Sequence, residues 1–285
     1  MKKILVTGAN GQLGRCINDA SHGFSEAIFT FVSRAELNIE NDEELNEYFS
    51  KNTFDYCINA AGYTLVEEAE SDADGAFKTN AEAVNTLAHC CKDTDTVLIH
   101  ISTDYVFDGK SNVPYTEIES TKPLSVYGES KLKGEVNIEK NGVNYFIIRT
   151  SWLYSQYGNN FLNTILRFAK TKKEVAITTE QMGTPTNAND LAKAILTIIK
   201  ADSNAYGIYH FSNKGSATWY DFAEAILKFT EQKNALRLVK TDHYRTFAAR
   251  PVYSVLDTTK FEQTFSYKIR DWKETLKELI NSNNL

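Results

Sequence analysis

The chain has no run of about 18 consecutive apolar residues, so no membrane-spanning helix is expected. Cysteine is scarce: Cys16, Cys57, Cys90 and Cys91 are the four in 285 residues. They form no CxxC pair and no Cys/His cluster with zinc spacing, which argues against a structural zinc site. Four cysteines in a chain this long do not make a disulfide scaffold, so a reducing, cytoplasmic setting is expected. Positive charge is not in excess either. Lys and Arg total 31 against 37 Asp and Glu, a formal net charge of −6. That balance argues against non-specific nucleic-acid binding, while leaving room for a local basic cleft around an anionic cofactor. The opening "MKKILVTGANG" holds too few apolar residues for a signal-peptide core, so no leader is expected. Internal repeats and low-complexity linkers are also lacking.

What is present is ordinary globular material, 42% hydrophobic and 24% charged, with enough chain for a sizeable core. Short apolar runs at 4–6, 27–32, 55–59, 96–101 and 143–150 predict strands. Helical patterns separate them, among them 41–51 with Asn41 or Asp42 as N-cap, and 73–92. Strands apolar throughout and alternating with helices predict a parallel sheet covered on both faces. The expected fold class is α/β, a Rossmann-type doubly wound parallel sheet with a smaller C-terminal α/β substrate lobe. Residues 1–150 are expected to form the dinucleotide-binding unit, with elements from about 187–212 added back to it. Residues 151–285 are expected to supply mainly the substrate lobe, with helices near 159–171, 189–201, 218–229 and 271–280 and strands near 174–178 and 208–211.

Gly8, Gly11 and Gly14 give G-x-x-G-x-x-G directly after the first strand and opening the first helix. Glycine permits the tight turn and close backbone approach, and a helix N-terminus offers free N–H groups to a pyrophosphate. The end of the second strand normally meets the adenosine ribose. Ser33 and Arg34 stand there in "FVSRAEL", and a basic residue favours the 2′-phosphate of NADPH over NADH. Farther on, Tyr127 and Lys131 in "VYGESKLKGE" lie four apart on one face of a predicted helix. A lysine ammonium beside a phenol is expected to lower the tyrosine pKa and ready it for proton transfer. The fourth strand ends in the polar stretch "STDYVFDG" (102–109), where the Thr103 hydroxyl can hold a substrate oxygen beside Tyr127. Glu67, Glu68 and Glu70 read as a solvated helix face.

The glycine spacing, with Thr103, Tyr127 and Lys131, resembles the short-chain dehydrogenase/reductase superfamily. Seven stretches, two of them holding these residues, occur in order: "INAAGYTLVEEAE", "STDYVFDG", "YGESKLKGE", "RTSWLY", "GNNF", "EQMGTPT" and "ARP". Over nearly the whole chain these resemble the dTDP-4-dehydrorhamnose reductase family. The resemblance implies reduction of the C4 ketone of a dTDP-linked sugar by NADPH, with NADH possible, and a soluble monomer or homodimer acting on a small nucleotide sugar. It implies Thr103, Tyr127 and Lys131 as catalytic residues. It places Gly11, Gln12 and Leu13 at the pyrophosphate, Asn38 and Ile39 at the adenine edge, and Ala61, Gly62 and Tyr63 along the cofactor. Val66, Thr103, Asp104, Tyr127, Trp152 and Arg250 are implied for the substrate, with Arg250 suited to the diphosphate.

Four departures from the family pattern stand out. Glu68 replaces a usual lysine, Asn38 a usual aspartate, and Gly62 a usual alanine. Where some relatives bind magnesium at a dimer interface through glutamates, this chain has Cys16 and Asn189, poor magnesium ligands. No metal is expected. A 4,6-dehydratase of the superfamily would carry an acid at position 105, where Tyr105 stands. The alternatives that stay open are a reductase or epimerase of another nucleotide-linked 4-keto sugar and a non-catalytic NADP-binding regulatory subunit.

Overall fold

The computed structural model describes residues 1–232, 235–242 and 245–283. Its centre is a six-stranded, wholly parallel sheet. The strands are β1 (Lys2–Thr7), β2 (Ala27–Val32), β3 (Tyr56–Asn59), β4 (Val97–Thr103), β5 (Tyr145–Thr150) and β6 (Gly207–His210). Their spatial order is β2-β1-β3-β4-β5-β6. The order reverses once, between β1 and β3, and a doubly wound sheet opens its ligand crevice at such a switch point, outside the carboxyl ends of the strands.

The apolar runs of the inner strands are buried on both faces, with alternate residues serving different cores, while edge strand β2 leaves Ile28 exposed. Ile4, Val6, Ile58, Ile99, Phe146 and Ile148 point to one face, under helices α1 (Gln12–Ser21) and α6 (Ala188–Ala201). Leu5, Cys57, Leu98 and Ile147 point to the other, under α2 (Asp42–Lys51), α3 (Ala83–Asp93) and α4 (Val126–Asn141). Cys57 is fully buried. The Asn41 side chain caps α2 by accepting from the Glu44 N–H.

Strand β6 pairs in parallel with β5, from Gly207 opposite Phe146 to His210 opposite Arg149. The chain thus returns to the sheet after leaving it at Thr150. A third core gathers α5 (Phe161–Thr171), α7 (Trp219–Phe229) and α9 (Trp272–Asn283) around Tyr154, Ile165, Phe222 and Leu276. Beside it, Glu174–Thr178 pairs in parallel with Arg237–Thr241. The second of these strands, and helix α8 (Thr259–Phe265), carry too weak a periodicity to be read from sequence.

The helix expected over 73–92 runs unbroken from Ala73 to Asp93 but is not α-helical throughout. An α-helical turn at Ala73–Phe77 passes into a π-helical turn at Lys78–Glu82 before α3 resumes at Ala83. The widened turn sets Asn80 inward, fully buried. A single π-turn inside an α-helix is found mostly at functional sites.

Candidate active site

The carboxyl ends of β1 to β5 line one edge. In register, Thr7 stands beside Val32 and Asn59, Asn59 beside His100, and Thr103 beside Thr150. Apart from Arg250, which comes from the segment before α8, every residue predicted for cofactor or substrate follows one of these ends or lies on α4 above them.

At the β1 end, Gly8 has φ +69°, and a Cβ there would lie 2.6 Å from the Ala61 nitrogen. A Cβ on Gly14 would lie 2.3 Å from the Gly8 carbonyl oxygen. Both glycines are therefore required by packing. Gly11 is the N-cap of α1 and contributes no side chain to it, leaving the first N–H groups of the helix open to an anion. Leu13 turns its side chain into the core, so only its backbone can face the turn. Gln12 Oε1 accepts from Asn160 Nδ2 at 2.7 Å, tying "GNNF" to the glycine turn. This cradle has the shape and donor set that a pyrophosphate needs.

At the β2 end, Ser33 donates through N and Oγ to Glu36. Arg34 is exposed and paired with Glu40 at 2.9 Å. Asn38 Oδ1 accepts from the Glu40 N–H, and Ile39 is buried beneath. Arg34 is thus available at the rim, with its charge already shared with one acid.

The β3 end holds Ala61, Gly62 and Tyr63. Asn80, from the π-turn, clamps this loop by accepting from Tyr63 N at 2.9 Å and donating to Tyr63 O at 3.0 Å. It also donates to Ser130 Oγ on α4 at 3.0 Å. A Cβ at Gly62 would lie 3.2 Å from Asn80 Oδ1, so glycine eases this contact. Sequence reading missed Asn80; a buried asparagine on an otherwise apolar helix face was the available signal.

The β4 end supplies Thr103 and Asp104, both buried. Thr103 Oγ1 donates to Asp104 Oδ1 at 3.1 Å and accepts from the Tyr105 N–H at 3.2 Å. The Thr103 hydroxyl lies close enough to the Tyr127 phenol to oppose the effect of burial on it. Asp104 Oδ2 is buried with no partner, and burial pushes this carboxyl up to about 6 against the hydroxyls of Ser254 and Thr103. An unpaired buried carboxylate oxygen is costly, and a ligand hydroxyl would satisfy it.

Helix α4 starts where Ser125 accepts from the Gly128 N–H. A Cβ on Gly128 would lie 2.4 Å from the Tyr105 carbonyl, and one on Gly134 would lie 2.2 Å from that of Asn80. These two glycines let α4 sit against the β4 end and the π-turn together. Tyr127 meets the Tyr105 ring edge-on at 5.6 Å.

One expectation is corrected here. The i, i+4 spacing predicts that Lys131 lowers the Tyr127 pKa. Instead, burial pushes Tyr127 up to about 12, with Thr103 opposing and Asp104 adding to the rise. The Lys131 nitrogen turns toward the sheet, donating to the Ile101 carbonyl at 2.6 Å and lying 3.4 Å from His100 Nε2. Shared helix face does not equal contact when a strand offers the ammonium a better acceptor.

A second correction concerns the acidic run. Val66 opens a short helix, Val66–Ala69. Glu68 is exposed as expected, but Glu67, its side chain 41% exposed, accepts from Arg250, Phe247 N and Ala248 N. Glu70 accepts from Val126 N at the start of α4. Arg250 thus reaches the site already held by an acid. Trp152, at φ +44°, stacks on Trp219 with centroids 3.6 Å apart and packs over Gly183. Its ring is held between these two and is only partly exposed.

The chain matches a family model, the RmlD substrate binding domain, over residues 1–284. The chain belongs to that family. It is 36% identical to a dTDP-4-dehydrorhamnose reductase of Aggregatibacter actinomycetemcomitans, with 98% of each chain covered. It is 37% identical to the spore coat polysaccharide biosynthesis protein SpsK of Bacillus subtilis, over 98% of this chain and 97% of that one. A crystal structure of the dTDP-4-dehydrorhamnose reductase of Bacillus anthracis in complex with NADP superposes with a TM-score of 0.93, at 33% identity and 99% coverage of both chains. In this chain the glycine cradle follows β1, Thr103 ends β4, and Tyr127 and Lys131 lie on α4.

Proposed function

We propose that the chain reduces the C4 ketone of dTDP-4-dehydro-β-L-rhamnose to dTDP-L-rhamnose, with NADPH, or NADH, as reductant. The observation that carries this reading is the Thr103–Tyr127 hydroxyl pair beside a glycine cradle, with the unpaired Asp104 oxygen next to it. The relatives named as reductases support the choice of reaction.

Gly8, Gly11 and the backbone of Gln12 and Leu13 hold the cofactor pyrophosphate. Ser33, Arg34, Asn38 and Ile39 line its adenosine end, and Ala61, Gly62 and Tyr63 its middle. Bound there, a reduced nicotinamide supplies the hydride. Thr103 binds the ketone oxygen and holds it against Tyr127. Tyr127, protonated at neutral pH, gives its proton to that oxygen as C4 gains the hydride, because an alkoxide is a stronger base than a phenolate. The phenolate left on Tyr127 takes a proton back from solvent. Lys131 holds the nicotinamide ribose. Asp104 accepts a sugar hydroxyl, Val66 and Trp152 wall the sugar, and Arg250 binds the diphosphate in competition with Glu67. In this reading residues 1–150, with 187–212, form the dinucleotide unit, and the remainder of 151–285 shapes the sugar pocket. The buried free cysteines suit a reducing, cytoplasmic setting.

Incubation with dTDP-4-dehydrorhamnose and each cofactor, followed by nicotinamide absorbance and product identification, tests the reading. Oxidation of NADPH coupled to dTDP-L-rhamnose is expected. No oxidation with either cofactor overturns it, and oxidation only with another nucleotide-linked keto sugar reassigns the substrate. Tyr127→Phe is expected to keep cofactor binding and lose turnover.

A further inference from the structure

Beneath Lys131 lies a hydrogen-bonded row that the reaction above does not use. Thr7 and Asn59 end β1 and β3, His100 lies at the middle of the adjacent β4, and all three are buried to 1% exposure or less. Thr7 Oγ1 donates to Asn59 Oδ1 at 2.7 Å, and the Ala61 backbone N–H donates to the same oxygen at 3.3 Å. A backbone N–H is a donor only, so the atom it meets must be the amide oxygen. That removes the usual ambiguity in an asparagine's orientation. Asn59 Nδ2 therefore faces His100 Nδ1, at 3.1 Å, and donates to it. A neutral imidazole whose Nδ1 accepts carries its proton on Nε2. That Nε2–H points at the Lys131 nitrogen, 3.4 Å away.

We propose that Asn59 locks the tautomer of His100 so that it presents an N–H, not a lone pair, to Lys131, and thereby sets the proton count of that lysine. An N–H facing an ammonium is a donor meeting a donor; facing a neutral amine it makes a hydrogen bond. The pair therefore favours the amine. Opposing it, the Ile101 carbonyl accepts from the Lys131 nitrogen at 2.6 Å and favours the ammonium. The other charged group acting on Lys131 is Glu135, one turn along α4, and Glu135 is itself paired with Arg149 of β5 at 2.6 Å. From β3, Asn59 and Gly62 bring no charge. Burial lowers Lys131 to about 8, with Glu135 opposing, and burial then the nearby lysine hold His100 neutral. His100 and Asn59 are thus positioning residues, acting on the site through Lys131. The inference rests on Lys131 belonging to the reductase site only for its consequence, not for its geometry.

Two magnetic resonance measurements on the whole chain test it. In protein labelled with 15N in histidine, His100 is expected to show its proton on Nε2 and a lone pair on Nδ1; a proton on Nδ1 overturns the proposal. In protein labelled with 13C at lysine Cε, the Lys131 resonance, identified by its absence in Lys131→Met, is expected to titrate near pH 8. Titration at the ordinary lysine value of about 10.4 overturns it. Asn59→Asp forces Nδ1 to donate and turns a lone pair to the ammonium. Asn59→Leu releases the lock without adding charge. Both are expected to raise the Lys131 midpoint, by about one pH unit or a tenfold change in proton affinity. A rise in Asn59→Asp alone assigns the effect to charge and overturns the tautomer lock. If neither variant folds, the two wild-type spectra decide. Because none of these readouts needs turnover, failure of the reductase reading leaves them intact.

Discussion

Replacing Glu135 by leucine should destabilise the protein strongly. Glu135 is 1% exposed and Arg149 3%, and the two are joined by contacts of 2.6 to 3.2 Å. Ser102, 3% exposed, donates its hydroxyl to the same carboxylate. Removing one partner of a buried pair leaves an uncompensated charge, which costs about 3–5 kcal/mol. The orphaned Ser102 hydroxyl adds about 1–3 kcal/mol. Arg149 has little else to turn to: Nη1 has no hydrogen-bond partner, and the Phe107 ring lies 5.3 Å from the guanidinium carbon. Against a typical total stability of about 5–15 kcal/mol the loss is large. At about 2–4 °C per kcal/mol the melting temperature should fall by roughly 10 °C or more. Calorimetry or thermal circular dichroism on the single variant and on Glu135→Leu/Arg149→Met provides the assay. The double variant should recover most of the loss, because no charge is then stranded. A drop below about 1 kcal/mol, or a double variant no better than the single, would refute the reasoning. Turnover should fall as well, since Ser102 precedes Thr103 and the clamp fixes that strand end beneath Tyr127.

Gly8→Ala combines a positive φ with a Cβ 2.6 Å from backbone, so NADPH binding measured calorimetrically should be lost; unchanged affinity would remove the cradle argument. Asp104 has a folded pKa of about 6, above its ordinary value, so its contribution to stability is greatest below the unfolded pKa and is lost as pH rises through about 6. Asp104→Asn should therefore be more stable than wild type at neutral pH, by up to about 3 kcal/mol, with that gain shrinking toward pH 4, and should turn over more slowly. A gain independent of pH would mean that the carboxylate charge is not the cause. Arg250→Ala should raise KM for the sugar nucleotide about tenfold, or about 1.4 kcal/mol, with kcat little changed. A matching fall in kcat would place Arg250 at the reacting centre instead. Arg34→Ala should lower the preference for NADPH over NADH; an unchanged ratio of kcat/KM values would show that Glu40 has already taken up the Arg34 charge.

The sequence by itself determined the doubly wound sheet. Each strand is apolar on both faces, and only a parallel sheet covered by helices buries such strands. It also pointed to the glycine cradle through G-x-x-G-x-x-G between a strand and a helix, whereas the contacts that bar a Cβ at Gly8 and Gly14 belong to the tertiary structure. Thr103, Asp104 and Tyr127 were legible from a polar strand end followed by a Tyr-x-x-x-Lys helix. Which atoms meet was decided only by the tertiary structure. Lys131 shares a helix face with Tyr127, yet its ammonium binds the Ile101 carbonyl, since periodicity specifies a direction and not the acceptors waiting there. Glu67 looked like a solvated acid until the chain near residue 250, some 180 positions later, brought Arg250 and two backbone N–H groups to it. Asn80 needed a π-turn to face inward, and His100 needed Asn59 and Ala61 from a neighbouring strand end to settle its tautomer. Hydrogen bonds are directional and short, so partners far apart in sequence are chosen by the fold. Ser102, unexplained as a strand-end hydroxyl, gains its purpose from the buried Glu135–Arg149 pair.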